Sequence, residues 1–474
     1  MIGRKHEKAR LLEAASSKYS EFVAVYGRRR VGKTFLVRET FNYSFSFQHS
    51  GLSQASYALQ LSEFWRSLKA QGLPDCPRPH NWFDAFESLG NLLAKSSSRK
   101  KIVFLDELPW MDTPRSNFVS ALEHFWNGWA SARKDILLII CGSATSWIIS
   151  KVLKNHGGLH NRVTVRLPVR PFTLSECRDL TEEMGLRFSE RDIAECYMVM
   201  GGVPFYWSRL QRGLSLAQNI DVLFFNSDGE LHNEYQELFS SLFKMDGHHL
   251  TILECLGKHH GGLTRKEIQI NSKLTSNGNL TQALEELEEC GFIRRYLQPG
   301  FPKSHQLFQL FDNFTLFHYQ FMANNRADDA HFWTNSLNSP MHTTWSGLAF
   351  ERLCFQHIEQ IQKSLGISGV TCNCYAWQFK GSDRRGVQID LIIDRQDNII
   401  NLCEIKFTRK AFAIDRNYSD NLQNKLDTFI EETSPQKAVH LTLITANGVV
   451  SNNYSGILQN SIALEDLFQP PSMK

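Results

Sequence analysis

The chain contains 474 residues, carries a net charge of +3 and has 21% charged residues. At roughly 100 to 200 residues a domain, the length predicts about three domains, and the modest charge does not require a nucleic-acid partner, although local basic patches could still provide one. No apolar run approaches the ~20 residues that cross a bilayer, and residues 1–15 lack the apolar core of a signal peptide, so we expect a cytoplasmic protein without a membrane partner.

The first 170 residues alternate strands and helices. Strands are predicted in the segments EFVAVYG, KIVFLDEL and DILLIICGS, and a helix is predicted to begin in GKTFLVRETF. The strands are apolar at nearly every position, which is typical of a parallel sheet covered on both faces. We therefore predict an α/β core over residues 1–170.

The segment GRRRVGKT lies between the first strand and this helix and matches the pattern GxxxxGK[ST] of phosphate-binding loops. Glycines let the backbone N–H groups close around phosphates, and the helix N-terminus adds favourable charge. Lys33 would reach the β and γ phosphates, and Thr34 would ligate Mg²⁺. An ordinary strand-to-helix turn is the alternative. The residues predicted to bind ATP here are Gly27, Arg28, Arg29, Arg30, Val31, Gly32, Lys33 and Thr34.

Acidic and polar residues follow the next two predicted strands. In IVFLDE, Asp106 would belong to the Mg²⁺ site and Glu107 would polarise an attacking water. Ser143, at the end of the third strand, would contact the γ-phosphate. Arg162 either contacts phosphate, from its own or a neighbouring subunit, or is a surface arginine.

These segments resemble a known family. GRRRVGKT, FLDELPWM, CGS, RLPVRPFTLSE and MGGVPFYW are similar to the archaeal-type ATPases of the AAA+/STAND group. The resemblance implies a P-loop core with an additional strand, a helical lid over residues 171–245 and a winged helix. It also implies that Gly201, Gly202 and Pro204 of the lid lie beside the nucleotide.

Residues 246–300 read as three short helices followed by a strand, the arrangement of a winged helix. The third helix carries four glutamates, which would face DNA phosphates unfavourably, so an intramolecular role is favoured over sequence-specific reading of DNA. Flanking basic residues could make nonspecific phosphate contacts. The glutamates are Glu285, Glu286, Glu288 and Glu289, and the basic residues are Lys258, Arg265, Lys266, Lys273, Arg294 and Arg295.

The segment VQIDLIIDRQDNIINLCEIKF, residues 387–407, reads as a hairpin turning near Asp397, which places Asp390 opposite Glu404. Like charges at that spacing, ~5 Å between Cβ atoms, are destabilising. A divalent cation with hard oxygen ligands, Mg²⁺ or Mn²⁺, would compensate them. Lys406 shares a face with Glu404 because strand side chains alternate, and it could orient an attacking water.

A further charge lies on the predicted helix before the hairpin. Glu351 falls on an apolar stripe formed by Leu348, Phe355 and Ile358, and a carboxylate facing a core is costly unless it is partnered. The nearby Cys372 and Cys374 form a CxC pair with no second pair to complete a zinc site, so we interpret the cysteines as reduced structural thiols.

The order of helix, hairpin and helix resembles the PD-(D/E)XK nuclease core, over residues 341–474, with residues 301–340 as a connector. The resemblance implies that Glu351, Asp390 and Glu404 bind metal and that Lys406 is catalytic, with Gln423 and Lys425 on the next helix. The alternative is a structural hairpin whose carboxylates pair with Arg384, Arg385 or Lys406.

The sequence as a whole predicts an α/β protein that acts as an ATP-dependent or ATP-regulated DNA endonuclease, with Mg²⁺ at the ATP site and Mg²⁺ or Mn²⁺ at the nuclease site. DNA is the expected partner, self-association into a homo-oligomer is possible, and defence against foreign DNA or mobile-element maintenance is the associated setting. The competing hypothesis is a signalling or scaffold ATPase whose nuclease-like domain binds nucleic acid or protein without cutting.

Overall fold

A computed structural model describes residues 1–154, 158–159, 161–242, 248–275, 278–298, 302–325, 329–379 and 386–470. The chain separates into two compact units, Met1–Pro171 and Phe172–Lys474. Across the described ranges, no helix combines the length and the apolar character that crossing a membrane would need.

The first unit alternates strands with helices, as predicted. Its strands are β1 (Glu21–Tyr26), β2 (Phe47–Ser50), β3 (Lys101–Asp106), β4 (Ile136–Gly142) and β5 (Val165–Pro168). Its α-helices are α1 (Lys5–Ser16), α2 (Lys33–Thr40), α3 (Tyr57–Ala70), α4 (Trp82–Lys95), α5 (Leu108–Met111), α6 (Phe118–Phe125) and α7 (Thr145–Trp147), with π-helical turns at Trp126–Ala130 and Ile148–Leu153.

The five strands form one parallel sheet in the order β2-β3-β4-β1-β5. Strand β4 lies between β1 and β3, so the predicted additional strand separates the strand before the phosphate loop from the strand that ends in Asp106. One face of the sheet packs under α3, α4 and α6 and the other under α1 and α2, in two apolar clusters. Burial on both faces explains why these strands are apolar at almost every position.

The second unit begins with helices, as predicted for residues 171–245. These are α8 (Leu174–Glu183), α9 (Glu190–Met200), α10 (Pro204–Trp207), α11 (Leu216–Ile220) and α12 (Glu234–Leu242), with a π-helical turn at Asp221–Phe225. Capping boxes begin α8 and α9: in α8, Thr173 accepts a hydrogen bond from the Glu176 N–H while the Glu176 carboxylate accepts one from the Thr173 N–H. Each box satisfies backbone donors that a helix start leaves unpaired.

Three helices and a small antiparallel sheet follow, and residues 248–310 are called the small-sheet module below. Its elements are α13 (His248–Gly257), β6 (Leu263–Thr264), α14 (Arg265–Ser272), α15 (Gly278–Glu289), β7 (Ile293–Tyr296) and β8 (Leu307–Leu310), with a 3₁₀ turn at Lys303–His305. The sheet order is β6-β8-β7. The predicted succession of three helices and a strand is confirmed.

The last part of the second unit is a mixed sheet with helices. Its strands are β9 (Cys372–Phe379), β10 (Val387–Arg395), β11 (Ile399–Lys406), β12 (Ala438–Thr445) and β13 (Asn460–Ala463), and its helices are α16 (Asn313–Gln320), α17 (Phe332–Ser336), α18 (Pro340–Gln356), α19 (Ile358–Ser364) and α20 (Arg416–Thr433), with 3₁₀ turns at Met322–Asn324, Ser455–Ile457 and Leu464–Phe468. Strands β9, β10 and β11 are antiparallel, whereas β11, β12 and β13 are parallel, in the order β13-β12-β11-β10-β9.

Candidate functional site

The loop between β1 and α2 owes its path to two glycines. Gly27 has φ 147°, and a Cβ there would lie 2.2 Å from the carbonyl oxygen of Val169, so only glycine fits. Gly32 has φ 86° and precedes the first residue of α2. The loop therefore turns tightly and presents the N-terminus of α2 at the carboxyl end of the sheet, where an anion is favoured.

The side chain of Lys33 bonds the backbone of this loop. Its side chain is buried, and Nζ donates to the carbonyl oxygens of Gly27 and Arg28, both at 2.8 Å, and to Oγ of Ser143 at 3.3 Å. These acceptors belong to the loop and to the end of β4. The structure thus brings Lys33 and Ser143 together, as the sequence predicts.

The ends of α2 and β3 meet through Thr34 and Asp106. Oγ1 of Thr34 donates to Oδ2 of Asp106 at 2.8 Å, and Asp106 is only 5% exposed. A hydroxyl and a carboxylate at this spacing, next to a phosphate-binding loop, are oxygen ligands of the kind that Mg²⁺ accepts. The residues fit an Mg²⁺ ion that arrives with a nucleotide, and Thr34 and Asp106 would hold it.

Glu107 follows Asp106 in a left-handed backbone conformation, with φ 46°. Its carboxylate accepts hydrogen bonds from the backbone N–H of Ser143 at 3.1 Å and from Oγ of Ser143 at 2.6 Å. A non-glycine residue in this conformation is strained, and such strain concentrates at functional sites. Ser143 therefore contacts both Lys33 and Glu107, and it joins the base candidate to the phosphate-binding lysine.

The remaining predicted nucleotide residues are less closely tied to this cluster. Arg162 is exposed, in the turn before β5. Pro204 is the first residue of α10, and Gly202 lies so close to Phe172 that a Cβ would come within 1.9 Å of its carbonyl oxygen. Gly202 and Pro204 belong to the second unit, and their predicted place beside the nucleotide stays a prediction.

The part of the chain that contains the phosphate loop is similar to a known family of domains. Residues 1–210 match the family model described as an ATPase domain predominantly from Archaea. These residues form an archaeal-type ATPase domain. The archaeal-type ATPase domain contains the phosphate loop, Asp106, Glu107 and Ser143, and it extends through α10.

One curated protein and two solved structures are distantly similar to larger parts of the chain. A curated relative from Methanocaldococcus jannaschii, named an uncharacterized protein, is 22% identical over 411 residues, which are 86% of this chain and 87% of the relative. The Walker-type ATPase of Pyrococcus abyssi is 17% identical with a TM-score of 0.46, covering 67% of this chain and 95% of that chain. The ORC2 protein of Aeropyrum pernix is 14% identical with a TM-score of 0.40, covering 67% and 93%.

A second set of charges lies in the C-terminal mixed sheet. The predicted hairpin register is confirmed: Leu391 pairs with Cys403, which sets Asp390 against Glu404. Strand β10 changes register against β9 between Ile389 and Ile392, and bulges of this kind re-aim side chains. Oδ2 of Asp390 accepts a hydrogen bond from the backbone N–H of Ile405 at 3.0 Å.

Glu404 is buried among three partners. Oε1 accepts hydrogen bonds from Lys406 at 2.9 Å and from the Tyr418 hydroxyl at 2.8 Å, and Oε2 accepts from Lys425 at 2.6 Å. Burial works to raise the pKa of Glu404, but Lys425 and Lys406 outweigh it, so the pKa lies below its ordinary value. Glu404 is therefore charged and held by two ammonium groups.

The other two carboxylates behave oppositely. Burial, followed by repulsion from Asp390, raises the pKa of Glu351 to about 8, and burial followed by repulsion from Glu404 raises the pKa of Asp390 to about 6. The structure thus brings Glu351, Asp390 and Glu404 close enough to repel one another. Raised carboxylate pKa values in a cleft mark a candidate functional site.

The helix carrying Glu351 differs from expectation. The predicted core stripe of Leu348, Phe355 and Ile358 is only partly buried, whereas the neighbouring Arg352 is buried. Nε of Arg352 donates to the carbonyl oxygen of Leu310, and Nη1 donates to that of Leu348. The prediction that this stripe is the core face of the helix was therefore wrong. The Arg352 guanidinium lies on the buried side because it donates to two backbone oxygens there, and Glu351 lies beside a cavity.

The donor chemistry of this site fits Mg²⁺ or Mn²⁺, since buried, mutually repelling carboxylates would be relieved by a hard cation. The arrangement is not that of a ready three-ligand site: in the described ranges, no group of three or more His, Cys, Asp or Glu side chains is arranged to hold a metal ion. In this arrangement Lys406 and Lys425 bond the Glu404 carboxylate. Of the alternative partners predicted for the hairpin, Lys406 does pair with Glu404, and Arg384 and Arg385 lie outside the described residues.

Sequence reasoning missed Tyr418 and placed Lys425 only by family resemblance. Both lie on α20 and contact Glu404 from positions about two turns apart. Their spacing of seven residues, with the buried Leu422 between them, puts all three on one face of the helix. That spacing was the available signal, and Gln423 falls on the opposite, exposed side, bonded to Asp427.

Proposed function

We propose that this ATPase is an ATP-dependent or ATP-regulated, metal-dependent DNA endonuclease. The observation that carries the proposal is the convergence of Glu351, Asp390, Glu404 and Lys406 from one helix and two adjacent strands. Buried like charges are costly to fold, and a catalytic site is a reason for a chain to keep them. Defence against foreign DNA or mobile-element maintenance would be its setting.

In the ATPase domain, Lys33 must leave its loop carbonyl acceptors to contact nucleotide phosphates. Glu107 would orient and deprotonate the attacking water once Ser143 releases it. The Ser143 hydrogen bonds therefore hold the base in a resting position. Arg162 and Pro204 would complete the nucleotide site.

In the C-terminal sheet, Glu351, Asp390 and Glu404 would hold Mg²⁺ or Mn²⁺, which would supply Lewis-acid polarisation of the scissile phosphate and an activated water. Lys406 would orient that water and balance negative charge at the phosphate. Lys425 and Tyr418 hold Glu404 in position. DNA as substrate and assembly into a homo-oligomer are part of this proposal.

A second candidate function is an ATP switch whose C-terminal sheet binds nucleic acid or protein without cutting. The observation that favours it is the carboxylate of Glu404, which two lysines and a tyrosine already satisfy. In that reading the lysines replace a cation permanently, and the cluster is a binding surface.

Asp390→Asn separates the two functions when plasmid nicking and thermal melting are both measured. The proposal expects nicking by the wild type with Mg²⁺ or Mn²⁺, no nicking by the variant, and an unchanged or higher melting temperature of the variant in EDTA, because one of two opposed charges is gone. Asp397→Asn, at the exposed turn of the same hairpin, is the matched control and should nick normally.

The non-cutting switch predicts a different result for Asp390→Asn. A purely structural Asp390 would lose stability on losing its charge, because the hydrogen bond from the Ile405 N–H and the attraction to Lys425 and Lys406 would weaken. A large fall in melting temperature for Asp390→Asn, together with no nicking by the wild type, would reject the nuclease and favour the non-cutting switch.

A further inference from the structure

A cavity of about 120 Å³ lies where the small-sheet module faces the C-terminal sheet. Glu351 and Asp390 line one side of it, and Arg294, Tyr296 and Gln309 from β7 and β8 line the other. This volume is well below the roughly 300 Å³ or more of a pocket that encloses a whole ligand. It accommodates a small group such as one phosphate with part of its nucleoside, and it excludes a double helix.

Arg294 lines this cavity and has N–H donors available for hydrogen bonding. Its guanidinium stacks on the ring of Phe355, with Cζ 3.6 Å from the ring centroid, and Nε donates to Oε1 of Gln309 at 2.8 Å. Stacking uses the face of the guanidinium and leaves its N–H edge available. Among the described residues, Nη1 and Nη2 have no hydrogen-bond acceptor, so the edge of a fixed cation is open to an anion.

Arg352 adds a second cation to the same cavity. Two of its nitrogens bond backbone carbonyls of β8 and α18, and Nη2 has no acceptor within the part of the chain that the structure describes. Two planar guanidinium groups held in place are the usual means of binding a phosphate. Because the backbone bonds fix Arg352, a phosphate would meet a preformed site.

Aromatic rings surround these cations. Tyr296, Phe355 and Trp377 line the cavity together with the amide side chains of Gln298 and Gln388. Arg294 already lies over the rings of Phe355 and Tyr296, so Trp377 is the ring left to stack on a base. Base stacking and amide hydrogen bonds to exposed base edges are the features by which proteins hold unpaired strands. A paired base has its edge occupied and its faces covered, so these contacts suit an unpaired nucleotide.

We propose that this cavity binds a phosphate of an unpaired nucleic-acid strand, so that the substrate class is single-stranded nucleic acid delivered to Asp390 and Glu351. The inference rests on the proposed nuclease function for the cutting step, but binding is separable from it. Arg294, supplied by the small-sheet module, is then a specificity residue of the C-terminal site. The module acts as a wall of the substrate pocket.

The test is binding of fluorescein-labelled oligonucleotides to the full chain in EDTA, where no cutting interferes, read by anisotropy. The probes are single-stranded DNA, single-stranded RNA and duplex DNA of one sequence. We expect either single strand to bind at least tenfold more tightly than the duplex, and Arg294→Ala to weaken single-strand binding about tenfold, the size expected for lost charge-assisted hydrogen bonds. The DNA and RNA arms identify which strand is preferred.

Arg295→Ala is the matched control, because Arg295 is the next residue of β7 but is exposed and pairs with Glu288 at 2.8 Å. It should bind within about twofold of the wild type, since a solvent-exposed pair contributes little. Equal affinity for single strand and duplex, or equal effects of Arg294→Ala and Arg295→Ala, would overturn the inference.

Crosslinking and a cleavage assay separate strand binding from folding and from cutting. If Arg294→Ala does not fold, single-stranded DNA containing iodouracil is photo-crosslinked to the wild type instead. Crosslinks at Tyr296 or Trp377 would support strand binding in the cavity, and crosslinks confined to other peptides would contradict it. Asp390→Asn, which removes a carboxylate from the wall of the cavity, should lose cleavage. Binding without any cleavage by the wild type rejects the nuclease function and leaves the binding site standing.

Discussion

Glu351 is a carboxylic acid whose protonation affects folding. Its pKa is raised from 4.5 to about 8 by burial and by the charge of Asp390, so the folded chain holds a proton that the unfolded chain releases. Stability then falls as pH rises from the unfolded pKa to the folded pKa. Asp390 contributes in the same sense, but only between its ordinary 3.8 and about 6. The difference between the wild type and a Glu351 variant from pH 6 to 8.5 therefore reports mainly on Glu351.

Glu351→Gln should remove this loss of stability. In EDTA, we expect the variant to match the wild type near pH 5 and to melt a few degrees higher at pH 8.5, a gain on the order of 2 kcal/mol after allowance for partial exposure. Glu432→Gln, an exposed position on α20, is the control and should follow the wild type at every pH. Parallel melting curves for Glu351→Gln and the wild type would show that Glu351 is charged in the folded chain.

At the residue scale, the sequence indicated which side chains lie together where the contact depends on a local motif. Lys33 meets Ser143 and Thr34 meets Asp106 because a strand, a loop and a helix in that order leave few alternatives. The partners of Glu404 could not be foreseen in the same way, since Tyr418 and Lys425 reach it from a helix whose docking depends on tertiary packing. The open N–H groups of Arg294 are also a tertiary property.

At the level of elements, the start of the phosphate loop is in direct backbone contact with Val169, the residue that follows β5. The N–H of Val169 donates to the carbonyl oxygen of Tyr26 at 2.7 Å, and Gly27 sits against the Val169 carbonyl. The loop is thus pressed against the strand that follows β1 in the sheet. Any side chain at Gly27 must separate the two.

Gly27→Ala should therefore damage ATP binding as well as stability. The added Cβ meets a backbone oxygen at 2.2 Å in a backbone conformation that alanine disfavours, so we expect a stability loss of about 1 to 3 kcal/mol and an ATP affinity lower by about tenfold or more, since the loop N–H groups move. Calorimetry and thermal melting measure the two effects.

Gly261→Ala is the matched control, because a Cβ there meets nothing within 4 Å. It should leave ATP affinity and melting temperature close to wild type. Near-normal ATP binding by Gly27→Ala would mean that the loop is free to move away from β5.

Elements differ in how far the sequence determines them. The hairpin register followed from a turn at Asp397 and strict alternation, and both are local. Which face of α18 is buried does not depend on local sequence alone. The apolar stripe predicted one face, but the elements packed against the helix bury Arg352 on another. Periodicity reports which faces are apolar, and only the packing partners decide which face is covered.

At the level of the whole molecule, the two chemistries belong to different units. The phosphate-loop residues lie in Met1–Pro171, and the carboxylates lie in Phe172–Lys474. Each unit has its own buried clusters. Regulation by ATP therefore requires a coupling free energy between two sites, and such coupling is reciprocal for binding.

Reciprocity makes this coupling measurable from either site. If ATP promotes binding of a nucleic-acid strand, the strand must tighten ATP binding by the same factor, typically about 5- to 150-fold for coupled sites. The experiment uses Asp390→Asn combined with Glu107→Gln, which should neither cut the strand nor hydrolyse ATP, so both affinities are true equilibrium values. The ATP affinity is measured by calorimetry with and without saturating single-stranded DNA, and the DNA affinity by anisotropy with and without Mg-ATP.

Adding Lys33→Ala to this variant supplies the control, because loss of the phosphate-binding ammonium should abolish ATP binding and with it any effect of ATP on DNA affinity. Equal factors in the two directions would establish that ATP and the strand share one conformational equilibrium. A factor of one in both directions would mean that the ATPase domain does not regulate strand binding through equilibrium affinity. ATP would then have to act on the cutting step itself, where reciprocity does not apply, and its effect would be sought in the single-turnover nicking rate of the chain with intact Asp390.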